Sequence, residues 1–241
     1  MTKTLAILGG CGGIGRQLVA DAQAAGWTPV VFDLPRSIEA HPLGGIATHA
    51  VDASKADDIA RAAALLEGPI EGFVNLCGFV TGDGPLVDRS PEEWGEVITG
   101  NLTAAFFAAR AFAPHVAKGG AMVQVGSGLG HYARPGYGPY GIAKAGIAQM
   151  TRQLALELAP DIRVNGVSPS AVDTAFLHGG TGRSDETDAP RVDINAYASV
   201  IPLQRVAVTQ DVTGPILFLL SDQAAYMTGQ TLHINGGAYM P

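Results

Sequence analysis

The chain has 241 residues, 47% of them apolar and 15% charged, which is ample for a buried core and excludes a wholly disordered chain. Lys and Arg number 15 against 22 Asp and Glu, a net charge of −7 that argues against nucleic acid or an anionic membrane as the main partner. The 32 glycines follow no Gly-X-Y period, so collagen is excluded and tight turns or close backbone approaches are expected.

Short apolar runs alternate with longer stretches of helical period. Thr4–Leu8 reads as a buried strand, followed at once by Gly9-Gly10-Cys11-Gly12-Gly13-Ile14-Gly15. Ile14, Leu18, Val19 and Ala22 then recur at helical spacing. Pro29–Phe32 is a second strand, ending in Asp33, and Ile46–Val51 a weaker third. Lys55–Leu66 reads as a helix, Gly72–Leu76 as a strand, and Glu92–Phe112 as a long helix with Pro91 suited to its first turn. Ala121–Val125 is a strand, Tyr140–Leu158 a long helix, Ile162–Val167 a strand, Val212–Leu220 a helix and Thr231–Ile234 a last strand. This alternation implies an α/β single-domain Rossmann fold over residues 1–241, a doubly wound parallel sheet with helices on both faces. The polar stretch Gly179–Asp193 has neither period, and a loop of that kind is expected to form a substrate lid, around 175–200.

The glycine loop lies between the first strand and the first helix. Glycines there let the backbone turn sharply and approach a pyrophosphate, while the helix N-terminus supplies free N–H groups and the positive end of its dipole. Asp33 ends the next strand, 18 residues past Gly15. An acid at that distance accepts hydrogen bonds from the adenosine ribose and repels a 2′-phosphate. The pair therefore points to NAD, and Leu34 follows where a basic residue would have signalled NADP.

Tyr140 and Lys144 are spaced i, i+4 and share one helix face. Ser127 follows a strand at the carboxyl edge of the sheet, where α/β folds bind ligands. A nearby ammonium is expected to lower the pKa of a phenol, so that Tyr140 exchanges a proton with an alcohol or ketone oxygen while Ser127 hydrogen-bonds the same oxygen.

Together Thr4–Gly15, Asp33, Asp52, Phe73–Gly78, Asn101, Ser127, Tyr140, Lys144 and Pro169–Thr174 resemble the classical short-chain dehydrogenases/reductases. The resemblance runs on through Phe218–Asp222, Thr228–Gln230 and Asn235–Gly237. It implies that Gly9, Gly12, Gly13, Ile14 and Gly15 hold the cofactor pyrophosphate, that Asp33 selects NAD, and that Asp52 and Ala53 face the adenine. It places Leu76 and Gly78 along the adenosine ribose, and Val172 and Thr174 at the nicotinamide carboxamide. It makes Tyr140 the general acid/base, Lys144 its partner on the nicotinamide ribose, Ser127 the substrate-oxygen ligand, and Asn101 the holder of a relay water. Leu8, Leu76, Gly126 and Ser170 depart from the family pattern, and none is a catalytic position.

Two cysteines, Cys11 and Cys77, make neither a disulfide framework nor a metal site. With no apolar run long enough for a membrane helix, a cytoplasmic setting is expected. The two thiols are expected near each other beside the cofactor. A homotetramer follows from the resemblance, with close helix approach allowed by Ala and Gly in Glu92–Phe112 and Tyr140–Leu158. His131, Tyr137 and Phe176, with Ser127 and Tyr140, are expected to meet the substrate. Their rings favour a neutral cyclic or aryl secondary alcohol and its ketone. Two alternatives are a ketoacyl-carrier-protein reductase and a dinucleotide-binding sensor without turnover. Asp33 and the net charge count against the first, and the full Asn101, Ser127, Tyr140, Lys144 set against the second.

Overall fold

Apolar side chains point to both sides of the central strands, and both sides are covered. The computed structural model describes residues 3–81, 84–178 and 193–240. Its strands are β1 (Lys3–Leu8), β2 (Trp27–Asp33), β3 (Ala47–Ala50), β4 (Ile70–Asn75), β5 (Val116–Val125), β6 (Arg163–Pro169) and β7 (Thr231–Ile234). All seven run parallel in one sheet, in the order β3-β2-β1-β4-β5-β6-β7. Its helices are α1 (Gly13–Ala24), α2 (Pro35–Ala40), α3 (Ala56–Ala63), α4 (Pro91–Ile98), α5 (Ala104–Phe112), α6 (Gly138–Leu158), α7 (Ile194–Ser199) and α8 (Thr209–Leu220).

The pleat sends Ala6, Leu8, Phe32, Phe73 and Met122 to the face covered by α3, α5 and α6. There Phe112 stacks on Phe73 at 4.5 Å and meets Phe32 edge-on at 5.0 Å. The other residues of the same strands, Leu5, Ile7, Val31, Val74 and Val123, face α1 and α8. A sheet buried on both sides reads as near-continuous apolar runs, as these strands do. Strand order reverses between β1 and β4, so the crossovers leave in opposite directions and a crevice opens at the carboxyl ends.

Three local features differ from the sequence reading. The single helix expected over Glu92–Phe112 is interrupted by a π-helical segment, Thr99–Thr103, with Asn101 at its centre. Such bulges are frequent at functional sites and leave no trace in hydrophobic period. The short α2 buries none of its residues, so it has no apolar stripe to reveal it. β5 begins at Val116, before the glycines at 119 and 120. Of the lid expected around 175–200, residues 179–192 lie outside the described residues, and α7 falls within its C-terminal part.

Candidate active site

A cleft of about 1710 Å³ opens at the carboxyl ends of the strands. Its floor at one end is the glycine loop. Gly9 has φ +88°, a conformation that glycine adopts without strain. A Cβ on Gly15 would lie 2.3 Å from the Gly9 carbonyl oxygen, so only glycine lets α1 start this close to β1. No side chain caps α1, and Gly12, Gly13 and Ile14 line the cleft. An uncapped helix start beside a backbone cradle fits a pyrophosphate. Thr174 packs over the loop, its Cγ2 2.8 Å from where a Gly13 Cβ would stand, and Val172 lines the cleft beside it.

Asp33 is tied to that loop. Its carboxylate accepts from the backbone N–H of Cys11 at 2.8 Å and of Leu34 at 2.7 Å. Burial pushes its pKa up, and these amides together with the Ser37 hydroxyl oppose the rise. Asp52 and Ala53 also line this end. The Asp52 carboxylate accepts from the Ser54 hydroxyl at 2.6 Å and pairs with Lys55 at 3.2 Å. Leu76 and Gly78 line the cleft above β4.

Ser127, Tyr140 and Lys144 converge on the same cleft from β5 and α6. Tyr140 is 7% and Lys144 3% exposed. The Lys144 ammonium donates to the Val125 carbonyl at 3.1 Å and stands 5.5 Å from the Tyr140 ring centre. Burial pulls the Lys144 pKa down to about 8. Burial pushes the Tyr140 phenol up to about 12, against a hydrogen bond with Ser127 that lowers it. The phenol is thus raised where a lowering by Lys144 is expected from the spacing: burial dominates, and the Ser127 hydrogen bond is what opposes it.

Asn101 is fully buried. Its Nδ2 donates to the carbonyls of Phe79 and Val97, both at 2.9 Å, and its Oδ1 accepts from the Phe79 N–H at 3.2 Å. Both amide hydrogens are spent on backbone, so the side chain clamps the loop after β4 to α4. Gly78 makes room for this arrangement, since its Cβ would stand 2.7 Å from Asn101 Oδ1 and 2.8 Å from Lys144 Nζ. Gly78→Ala should therefore displace both side-chain ends without blocking folding. A loss of about a hundredfold in turnover is expected, with Tm lowered by only a few degrees, roughly 2–8 °C. Steady-state rates alongside a thermal melt check this; full activity would show that Gly78 sets no geometry here.

Tyr137 and Phe176 line the substrate side, with Phe176 5.9 Å from the Tyr140 ring. His131 does not. Its Nε2 meets Ser168 Oγ at 3.1 Å and its ring packs edge-on against His233 at 4.5 Å, behind the cleft wall. Burial first, and then His233, hold its pKa low. Sequence reasoning also missed Arg134 and Tyr197, which both line the cleft. Arg134 was legible as a lone cation between Ser127 and Tyr140, whereas Tyr197 follows the aperiodic polar stretch and carries no signal. Arg134 places a cation on the wall from whose rings a neutral substrate is expected.

Cys11 and Cys77 both line the cleft, on neighbouring strands as expected, but they pack into cores on opposite faces of the sheet. Burial raises both thiols, Cys11 to about 11, which favours the protonated form.

A family model described as enoyl-(acyl carrier protein) reductase matches residues 9–239. The 3-oxoacyl-[acyl-carrier-protein] reductase of Staphylococcus aureus is 31% identical, covering 100% of this chain and 99% of that protein. The enzyme of the same name from Thermotoga maritima is 32% identical, covering 98% and 97%. A crystal structure from Brucella melitensis, described as a short-chain dehydrogenase/reductase of glucose/ribitol dehydrogenase type, superposes with a TM-score of 0.89. It is 31% identical, covering 100% of this chain and 98% of that one.

Proposed function

The chain belongs to the short-chain dehydrogenase/reductase family, and from that membership we propose that it is an NAD-dependent oxidoreductase interconverting a secondary alcohol and a ketone. The observation that carries this reading is the convergence of Ser127, Tyr140 and Lys144 beside a glycine cradle. A bound nicotinamide dinucleotide supplies the hydride that reaches the carbonyl carbon in reduction, and takes it back in oxidation. Gly9, Gly12, Gly13, Ile14 and Gly15 would hold its pyrophosphate, Asp33, Asp52, Ala53, Leu76 and Gly78 its adenosine half, and Val172, Thr174 and Lys144 its nicotinamide half. Tyr140 donates its hydroxyl proton to the carbonyl oxygen and recovers one in the reverse direction. Ser127 holds that oxygen. Asn101 fixes the loop that brings Gly78 against Lys144.

The preference for NAD rests on Asp33, whose carboxylate is oriented by two backbone amides at the end of β2. A 2′-phosphate brought there meets a like charge. Asp33→Ala leaves Arg36, which lines the same end, as the charged neighbour. It also frees the Cys11 amide from the loop. The variant should lose about tenfold in kcat/KM with NAD and gain several-fold with NADP. Equal use of both cofactors by the unaltered protein would end this part of the reading.

The names of the relatives favour a second reading, reduction of a 3-oxoacyl group on an acyl carrier protein. The same three side chains serve that reaction. Asp33 and the net charge of −7 weigh against it, because the carrier is itself acidic. Assembly as a homotetramer is part of the main reading, since Trp94 on α4, Phe106 on α5 and Ile142 on α6 are large apolar side chains left exposed. A cytoplasmic setting goes with it, as no helix among the described residues is long and apolar enough to cross a membrane.

A further inference from the structure

The substrate side of the cleft holds one feature that alcohol–ketone exchange does not require. Arg134 lines it, exposed, with its guanidinium carbon 5.7 Å from the ring centres of both Tyr137 and Tyr197. A guanidinium held between two rings loses side-chain freedom while its N–H edge stays available. Among the described residues it has these rings and no carboxylate as partners. The Tyr132 and Tyr197 hydroxyls, hydrogen-bonded to each other, line the cleft beside it.

The surrounding wall makes this charge distinctive. Phe79, Val80, Leu129, Phe176 and Leu177 give the substrate side apolar surface, and among the described residues no acid lines it. The acids that line the cleft, Asp33 and Asp52, follow β2 and β3. Ser127 follows β5, three strands from β2 in the sheet, a separation of roughly 14 Å at the usual strand spacing. Among the described residues the substrate side therefore carries a positive charge, whereas the molecule as a whole is negative. A planar donor fork in an otherwise apolar wall matches a carboxylate, which it binds bidentately.

We propose that Arg134 anchors a substrate carboxylate, so that the substrate is a hydroxy acid and its keto acid, the acid group set apart from the reacting carbon. This rests on the alcohol–ketone reading and narrows it. The redox step is unchanged: hydride to the carbonyl carbon, proton from Tyr140 to the carbonyl oxygen, and the carboxylate as a handle that does not react.

The test pairs acetoacetate, levulinate and 3-benzoylpropionate with their methyl esters, reduced by wild type, Arg134→Gln and Arg134→Lys with NADH. In wild type at least one acid should exceed its ester in kcat/KM by about tenfold or more. Arg134→Gln should erase that preference through KM while keeping the rate on the ester. Arg134→Lys, which keeps the charge and loses the fork, should fall between. Equal use of acid and ester by wild type, or a preference that survives Arg134→Gln, overturns the proposal and leaves the oxidoreductase reading standing. A further arm compares an acetoacetyl thioester of phosphopantetheine with that of pantetheine. If Arg134→Gln acts only on the phosphorylated carrier arm, the anion is a phosphate and the proposal is overturned. Should no pair be turned over, calorimetric titration of the NADH-loaded protein with benzoate decides. Uptake by wild type and not by Arg134→Gln supports the anchor, and equal uptake by both overturns it.

Discussion

Tyr140→Phe is expected to leave a folded, dinucleotide-binding protein whose turnover is lower by about 10²- to 10⁴-fold, the usual worth of a positioned general acid or base. The ring sits between α6 and Phe176 and is almost wholly buried, so Phe keeps its packing. Only the hydroxyl is lost, and with it the proton that Ser127 helps to place. KM for the reduced dinucleotide should stay within about twofold, because a change confined to the proton donor lowers kcat and spares ground-state binding. Rapid-mixing kinetics with fluorescence-detected NADH binding separate the two effects. A variant keeping most of the rate would remove Tyr140 from the chemistry.

Lys144→Met should behave differently in two respects. Lys144 is a buried ammonium whose partner is a backbone carbonyl, so an apolar side chain of similar length removes a desolvation cost. Thermal stability should hold or rise, while activity falls by at least about a hundredfold and dinucleotide affinity falls with it. The Lys144 pKa near 8 adds a pH signature. Its ammonium form is complete below that value and is lost as pH rises through it, so the reduction rate of wild type should decline above about pH 8. Lys144→Arg, which does not deprotonate in this range, should lack that limb in its residual rate. A destabilised Lys144→Met protein with intact kinetics would make the lysine purely structural.

Much of this architecture was legible in the chain. The strands are short apolar runs because both faces of the sheet are buried, and the glycine loop announces itself because no other residue fits between β1 and α1. Asp33, Ser127, Tyr140 and Lys144 were found by spacing, since the turn of a helix and the end of a strand fix where such residues point. What stayed hidden depends on packing without periodicity. The π-helical segment around Asn101 accompanies a side-chain bond to the Phe79 carbonyl, 22 residues away and brought beside it only in the folded chain. His131 and Tyr137 looked alike in sequence, yet Ser168 and His233 draw one ring behind the wall while the other lines the cleft. The direction of the Tyr140 shift depends on burial, which a spacing of four residues does not report. Arg134 was visible as a charge, but its meaning needed Tyr197, brought to it from far along the chain.

The most direct test of the proposed chemistry is isotope transfer. The unaltered protein is mixed with NADH carrying deuterium on its nicotinamide ring and with a panel of ketones and keto acids. Each product is then analysed by mass spectrometry. One deuterium at the carbinol carbon of a product, appearing with wild type and not with Tyr140→Phe, is the expected result. Tight binding of NADH with no deuterium in any product across the panel would contradict it, and would make the protein a dinucleotide-binding module without turnover.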